Sequence, residues 1–196
     1  MKNFNLKSGK LSRLLNLTAA ITLLLCVGGL DSALAASAKE IDSKADAALE
    51  RLYKLDGGKE FAGKAKGMLV LPNVGKGALI VGFEHGKGAL RIDGKTVDYY
   101  SLSAGSVGLQ IGGEVKDIII AFLTTEAMDK FRNSKNWEAG VDGNIAMIAA
   151  GDGGSLTNIS GKEPIKAVVI DVKGLFLDMS LKGAKFSKLK DEDLDK

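Results

Sequence analysis

The sequence predicts an α+β fold: a largely antiparallel sheet or partial β-barrel with an N-terminal amphipathic helix and one mid-chain helix. Three observations lead there. Apolar residues recur at helical spacing through residues 38–55. After Gly67 they fall into short runs bounded by turn residues, the pattern of strands. Twenty-five glycines against two prolines in 196 residues supply many tight turns, and 45% hydrophobic content is enough to fill a core, which excludes a disordered chain.

The first 35 residues read as a cleaved secretory signal peptide. Lys2, Lys7, Lys10 and Arg13 precede an apolar stretch from Leu14 to about Leu30, followed by Ala33-Leu34-Ala35. That order of basic, apolar and small residues marks export, with cleavage after Ala35 and a second Ala-x-Ala site ending at Ala38. Cys26 is preceded by Leu25 and lies inside the apolar run, which argues against a lipoprotein. The expected location is the periplasm, peripheral to a membrane. Removing residues 1–35 takes away four basic residues and one acidic, leaving 23 of each. The mature chain is therefore neutral, which removes any whole-protein case for nucleic acid as a partner. It also holds no Cys, so it needs no disulfide.

The remaining 36–190 read as one domain. Ile41, Ala45, Ala48, Leu49, Leu52, Tyr53 and Leu55 make one helical stripe that stops at Asp56-Gly57-Gly58. A short second helix is expected over Lys59–Lys66. Strands are expected at Met68–Leu71, stopped by Pro72-Asn73, then at Ala78–Phe83 and at Ala89–Ile92. Asp93-Gly94 is a two-residue hairpin signal, returning through Thr96–Tyr100. Val107–Ile111 and Asp117–Leu123 continue the pattern, and Thr124 or Thr125 caps a helix over Glu126–Asn133. Further strands are expected at Val141–Ala150, Ile165–Val172 and Leu175–Leu181, with an acidic, disordered tail over residues 191–196. Gly75-Lys76-Gly77-Ala78-Leu79 recurs as Gly86-Lys87-Gly88-Ala89-Leu90, read as two similar strand beginnings.

Chemistry is scarce. Gly82 to Gly88 contains a Gly-Lys pair, but the loop is one residue short and lacks the hydroxyl that a phosphate loop places on magnesium. Ala104-Gly105-Ser106-Val107-Gly108 resembles a nucleophile elbow, yet a strand follows it where a helix is required, and the single His85 lies upstream. No His/Cys cluster or calcium loop is present, so neither metal nor cofactor is expected, and neither is an enzyme. What remains is a basic surface. Lys64, Lys66, Lys76, Lys87, Arg91 and Lys95, joined by Lys44, Arg51 and Lys54 on the first helix, form the candidate lipid-binding set. Each cation near an anionic membrane contributes about 1 kcal/mol, screened by salt. Glycines beside Lys76 and Lys87 would also let backbone N–H groups approach phosphate. A solvated face balanced by acids is the competing reading.

Several segments resemble the SYLF domain, in the exported bacterial branch of that family. They are Ala65-Lys66-Gly67-Met68-Leu69-Val70-Leu71-Pro72, Lys95-Thr96-Val97-Asp98-Tyr99-Tyr100-Ser101, Gly108-Leu109-Gln110-Ile111-Gly112, Phe131-Arg132-Asn133-Ser134, Trp137-Glu138-Ala139-Gly140-Val141-Asp142-Gly143 and Gly174-Leu175-Phe176. The resemblance runs from about Ala38 to Leu189. It implies a non-enzymatic module that binds membrane lipids, partly through an amphipathic N-terminal segment, here residues 38–55. Eukaryotic members recognise phosphoinositides and some bind actin, neither of which an exported bacterial protein would meet. The expected partner is therefore an anionic phospholipid or membrane surface. The alternative is a structural or protein-interaction module with an envelope protein as partner. Trp137 is read as a core aromatic rather than a lipid anchor.

Overall fold

The structure, a computed structural model, describes residues 37–77, 81–107, 114–148, 155–156, 162–171, 174–175 and 181–194. The expected signal peptide lies outside these residues, as do most of the strand segments expected at Val107–Ile111 and Leu175–Leu181.

Among the described residues, nine strands form one curled sheet, a half-barrel. They are β1 (Gly67–Gly77), β2 (Val81–Ile92), β3 (Lys95–Val107), β4 (Glu114–Phe122), β5 (Asn136–Glu138), β6 (Ala146–Met147), β7 (Ile165–Asp171), β8 (Gly174–Leu175) and β9 (Lys185–Lys188). Their order is β5-β9-β3-β2-β1-β4-β7-β6, with β8 on β7. Every pairing is antiparallel except β6 with β7. The α+β expectation holds.

The central strands are apolar without alternation because both faces of the sheet are covered. Leu69, Leu71, Ile118, Ile120, Phe122 and Val169 point into the curl. There they meet α3 (Thr125–Asn133), whose first turn is capped by Thr124 Oγ1 accepting from the Ala127 N–H at 3.2 Å. Phe131 of α3 is the hub of this core, with ring centroids 4.7 Å from Tyr100, 4.8 Å from Phe122 and 5.5 Å from Trp137. Trp137 is buried, a core aromatic as expected. Val70, Ile119, Ala121, Val168 and Ile170 point the other way. On that side they receive Ile41, Ala45, Ala48 and Leu52 of α1 (residues 37–54) and Phe61 of α2 (Gly58–Lys64). The apolar stripe of α1 is thus spent on the sheet.

Four expectations are corrected. The strand expected to stop at Pro72-Asn73 continues. These two residues bulge out of both ladders, and the buried Asp117 carboxylate holds the bulge by accepting from the Asn73 N–H at 3.0 Å. The two strands expected on either side of His85 are one strand, β2, so the repeated Gly-Lys-Gly motif stands at the end of β1 and in the middle of β2. A Cβ at Gly88 would lie 2.1 Å from the Val70 carbonyl oxygen, so this glycine serves close strand approach rather than phosphate contact. Of the strand expected over Val141–Ala150, the described residues 141–148 form a strand only at Ala146–Met147. Val141 and Asp142 turn instead, their N–H groups donating to the Glu138 carbonyl while the Asp142 side chain accepts from the Glu138 N–H at 2.7 Å. The start of the acidic tail, Asp191–Asp193, forms a 3-10 turn because Leu194 behind it is an apolar plug, 6% exposed, in the α1 side of the core. Strands β5 and β9 have no counterpart among the expected elements.

Candidate functional site

The eight candidate cations whose side chains are described do not form one face. Most are engaged by neighbouring groups. Lys44 pairs with Glu40 at 2.6 Å and Lys64 with Glu60 at 2.7 Å, both one helical turn apart on exposed surface. Arg51 reaches across from α1 to Asp117 at 2.6 Å, tying the helix to the bulge in β1. Lys87 donates to the backbone carbonyls of Asp193 at 3.0 Å and Leu194 at 2.8 Å, and Ser37 Oγ donates to the same Leu194 carbonyl. This lysine is a clamp on the chain terminus, not a free charge. Lys76 belongs to β1, but its side chain lies outside what the structure describes. Three lysines near residue 190 are paired likewise: Lys188 with Asp98 at 2.5 Å, Lys185 with Glu138 at 3.6 Å and Lys190 with Glu192 at 3.5 Å.

The candidate cations left over, Lys54, Lys66 and Lys95, gather at one end of the molecule, where Lys59 joins them. There the C-terminal half of α1, α2, the start of β1 and the β2–β3 hairpin enclose an open groove of ≈ 710 Å³. Lys59, Lys66 and Arg91 line it, together with Asp46, Glu50 and Asp93. Lys54 and Lys95 directly follow the lining residues Tyr53 and Gly94. Lys54, Lys59, Lys66 and Lys95 are all exposed. Their surroundings put no carboxylate within ion-pair distance among the described residues. The groove's apolar wall is Leu49, Ala62, Ala65 and Met68, each half-buried, with the 38% exposed ring of Tyr53 beside them.

Sequence chemistry explains why this groove holds its shape. Asp93 and Gly94 take φ values of 50° and 75°, so both central turn residues are left-handed, the geometry the Asp-Gly pair predicts. Ile92 then faces Lys95 across the turn. Asp42 of α1 fixes the hairpin strands: its carboxylate accepts from Thr96 Oγ1 at 2.6 Å and from the Tyr99 hydroxyl at 2.9 Å. Burial, and then the hydrogen bond to Asp42 and its charge, push the Tyr99 hydroxyl up to about 12. Arg91 adds a pair to Asp46 at 2.8 Å and donates to the Asp42 carbonyl at 3.2 Å. The groove is therefore a braced surface joining three elements, and its free charges stand on the exposed rim.

Of the candidate set, then, the structure brings Lys66 and Arg91 into one groove with Lys54 and Lys95 at its edge. It leaves Lys44 and Lys87 in a separate cleft of ≈ 360 Å³ beside Leu194. Glu50, Tyr53 and Asp93 were not singled out from sequence as site residues. Charge alone separates Glu50 from the apolar stripe of α1, and nothing in its spacing reveals that a hairpin forty residues away faces it. Among the described residues no His/Cys/Asp/Glu cluster could hold a metal, and no helix is long and apolar enough to cross a membrane.

Residues 103–195 match the family model described as "Las17-binding protein actin regulator", Ysc84. The match opens in β3 and takes in the Phe131–Ser134 and Trp137–Gly143 segments that build the aromatic core. No curated protein matches the chain.

Proposed function

We propose that the protein, whose residues 103–195 match the SYLF (Ysc84) family model, is a non-enzymatic lipid-binding module of the bacterial envelope. In this reading it is exported to the periplasm by residues 1–35 and associates with anionic phospholipid head groups at a membrane surface. The observation that supports it is the separation of charges. The candidates Lys54, Lys66 and Lys95, together with Lys59, are exposed around one groove and unmatched among the described residues, while the other described candidates are held by carboxylates or carbonyls. Unmatched surface cations keep their attraction for an external anionic layer, whereas a cation already paired offers little more.

The mode of contact differs from helix insertion. The α1 residues Ala45, Ala48 and Leu52 are 0% exposed, so the stripe that would enter a membrane covers the sheet instead. Binding in this state is peripheral, by the rim of the groove. Replacing Lys54, Lys59, Lys66 and Lys95 with Gln together is expected to abolish sedimentation with phosphatidylglycerol vesicles, at about 1 kcal/mol lost per lysine. Replacing the paired Lys44 and Lys64 is expected to change it little. Equal losses in both variants would contradict the proposed surface.

A second reading, a protein-interaction module of the envelope, draws on the matched family's description, which names binding to a protein, Las17. Retention of a soluble envelope protein with indifference to every vesicle would favour it.

A further inference from the structure

Resting on the lipid reading above, we propose that the groove between α1, α2 and the β2–β3 hairpin selects a zwitterionic head group, a phosphate joined to a primary ammonium, as in an ethanolamine phospholipid. Six charged side chains line the groove. Two of them, Arg91 and Asp46, satisfy each other at 2.8 Å. The four that remain are two cations, Lys59 and Lys66, and two carboxylates, Glu50 and Asp93, all exposed and none in an ion pair among the described residues. A purely anionic ligand in this groove would gain two ammonium partners and face two carboxylates of its own sign. A ligand carrying both charges matches both pairs.

The kind of cation follows from the same lining. A primary ammonium brings three N–H donors, which carboxylates satisfy directly. A quaternary ammonium has none and is held by several aromatic faces. Tyr53 is the single aromatic among the lining residues, against two carboxylates, so the groove suits ethanolamine rather than choline. Leu49, Ala62, Ala65 and Met68 give the glycerol end of such a lipid an apolar wall, and ≈ 710 Å³ lies within the range of small-molecule sites. The anionic attraction of the rim lysines and the selection in the groove are separate effects: the first acts on the membrane as a whole, the second on one head group.

The test uses the full-length protein and vesicles of fixed phosphatidylglycerol content, completed with either phosphatidylethanolamine or phosphatidylcholine. Tighter binding to the ethanolamine vesicles is expected, by roughly tenfold, the scale of one hydrogen bond to a charged group. The double variant Glu50→Gln, Asp93→Asn removes both negative charges, and Asn tolerates the left-handed turn position that Asp93 occupies. It is expected to erase the preference while binding to the choline vesicles stays the same or rises. Independently of any membrane, glycerophosphoethanolamine is expected to shift the amide resonances of Glu50, Lys66 and Gly94 more than glycerol phosphate or glycerophosphocholine does. Equal binding to both vesicle types, or equal shifts from the three soluble head groups, would overturn the proposal and leave the membrane reading standing. Selective shifts by glycerophosphoethanolamine without vesicle binding would support the groove and overturn the membrane reading instead.

Discussion

Single side chains decide how α1 is held and where the β1 bulge sits. Tyr99 and Tyr100 are neighbours in β3 with opposite fates. The Tyr99 hydroxyl donates to Asp42, so Tyr99→Phe is expected to lower stability by about 1.5–3 kcal/mol in denaturant unfolding. The buried Tyr100 hydroxyl has no hydrogen-bond partner among the described residues, so Tyr100→Phe is expected to be neutral or stabilising by up to about 1 kcal/mol. Both hydroxyls are pushed up to about 12, mainly by burial. Since each folded value lies above the ordinary value of 10.0, their contribution is complete below pH 10 and is lost as pH rises toward 12. Unfolding followed by Trp137 fluorescence across that window should show the loss, reduced in each Phe variant. Asp117 is the other decisive residue. It is 4% exposed and accepts from both Asn73 N–H and Arg51. Asp117→Ala should cost about 2–3 kcal/mol by orphaning charge-assisted bonds, and a loss below 0.5 kcal/mol would show that the bulge holds without it.

At the level of elements, the fold depends on strands β1 and β2 lying close together along their length. Gly88 is the contact point, where a Cβ would meet Val70 O at 2.1 Å and Leu71 Cα at 2.8 Å. Gly88→Ala must push backbone apart, and a loss of about 1–3 kcal/mol is expected from overpacking. The neighbouring Gly94→Ala has open space and instead meets a φ of 75° that disfavours any side chain. Local signals were legible wherever the cause was local. The helical stripe of α1, the Asp-Gly hairpin and the Thr124 cap each rest on residues within one or two turns of chain. The elements misread were settled by distant partners. Pro72-Asn73 stays inside a strand because Asp117, on another strand, receives the freed N–H. Strand β9 exists because the short Lys185–Lys188 segment pairs with both β3 and β5, a match that four residues of mixed polarity do not announce.

For the whole molecule, the sheet is shared by two cores, and the surface charges sort by whether the fold has already used them. Composition puts 23 basic and 23 acidic residues in 36–196, and the SYLF resemblance extended to the segments around Phe131 and Trp137 that the structure places in the aromatic core. The candidate site was legible only in part. Lys66 and Arg91 do share a groove, but Lys44, Arg51, Lys64 and Lys87 looked equivalent in sequence and are each engaged by groups that only the folded chain, or the next helical turn, presents. The central claim is that the unmatched lysines at the hairpin end carry the protein to an anionic membrane. Sedimentation of the purified protein with phosphatidylglycerol or phosphatidylcholine vesicles, at low and high salt, tests it most directly. Binding to the phosphatidylglycerol vesicles alone, weakened by salt, is the predicted result. Equal binding to both lipids, or binding to neither, would contradict it.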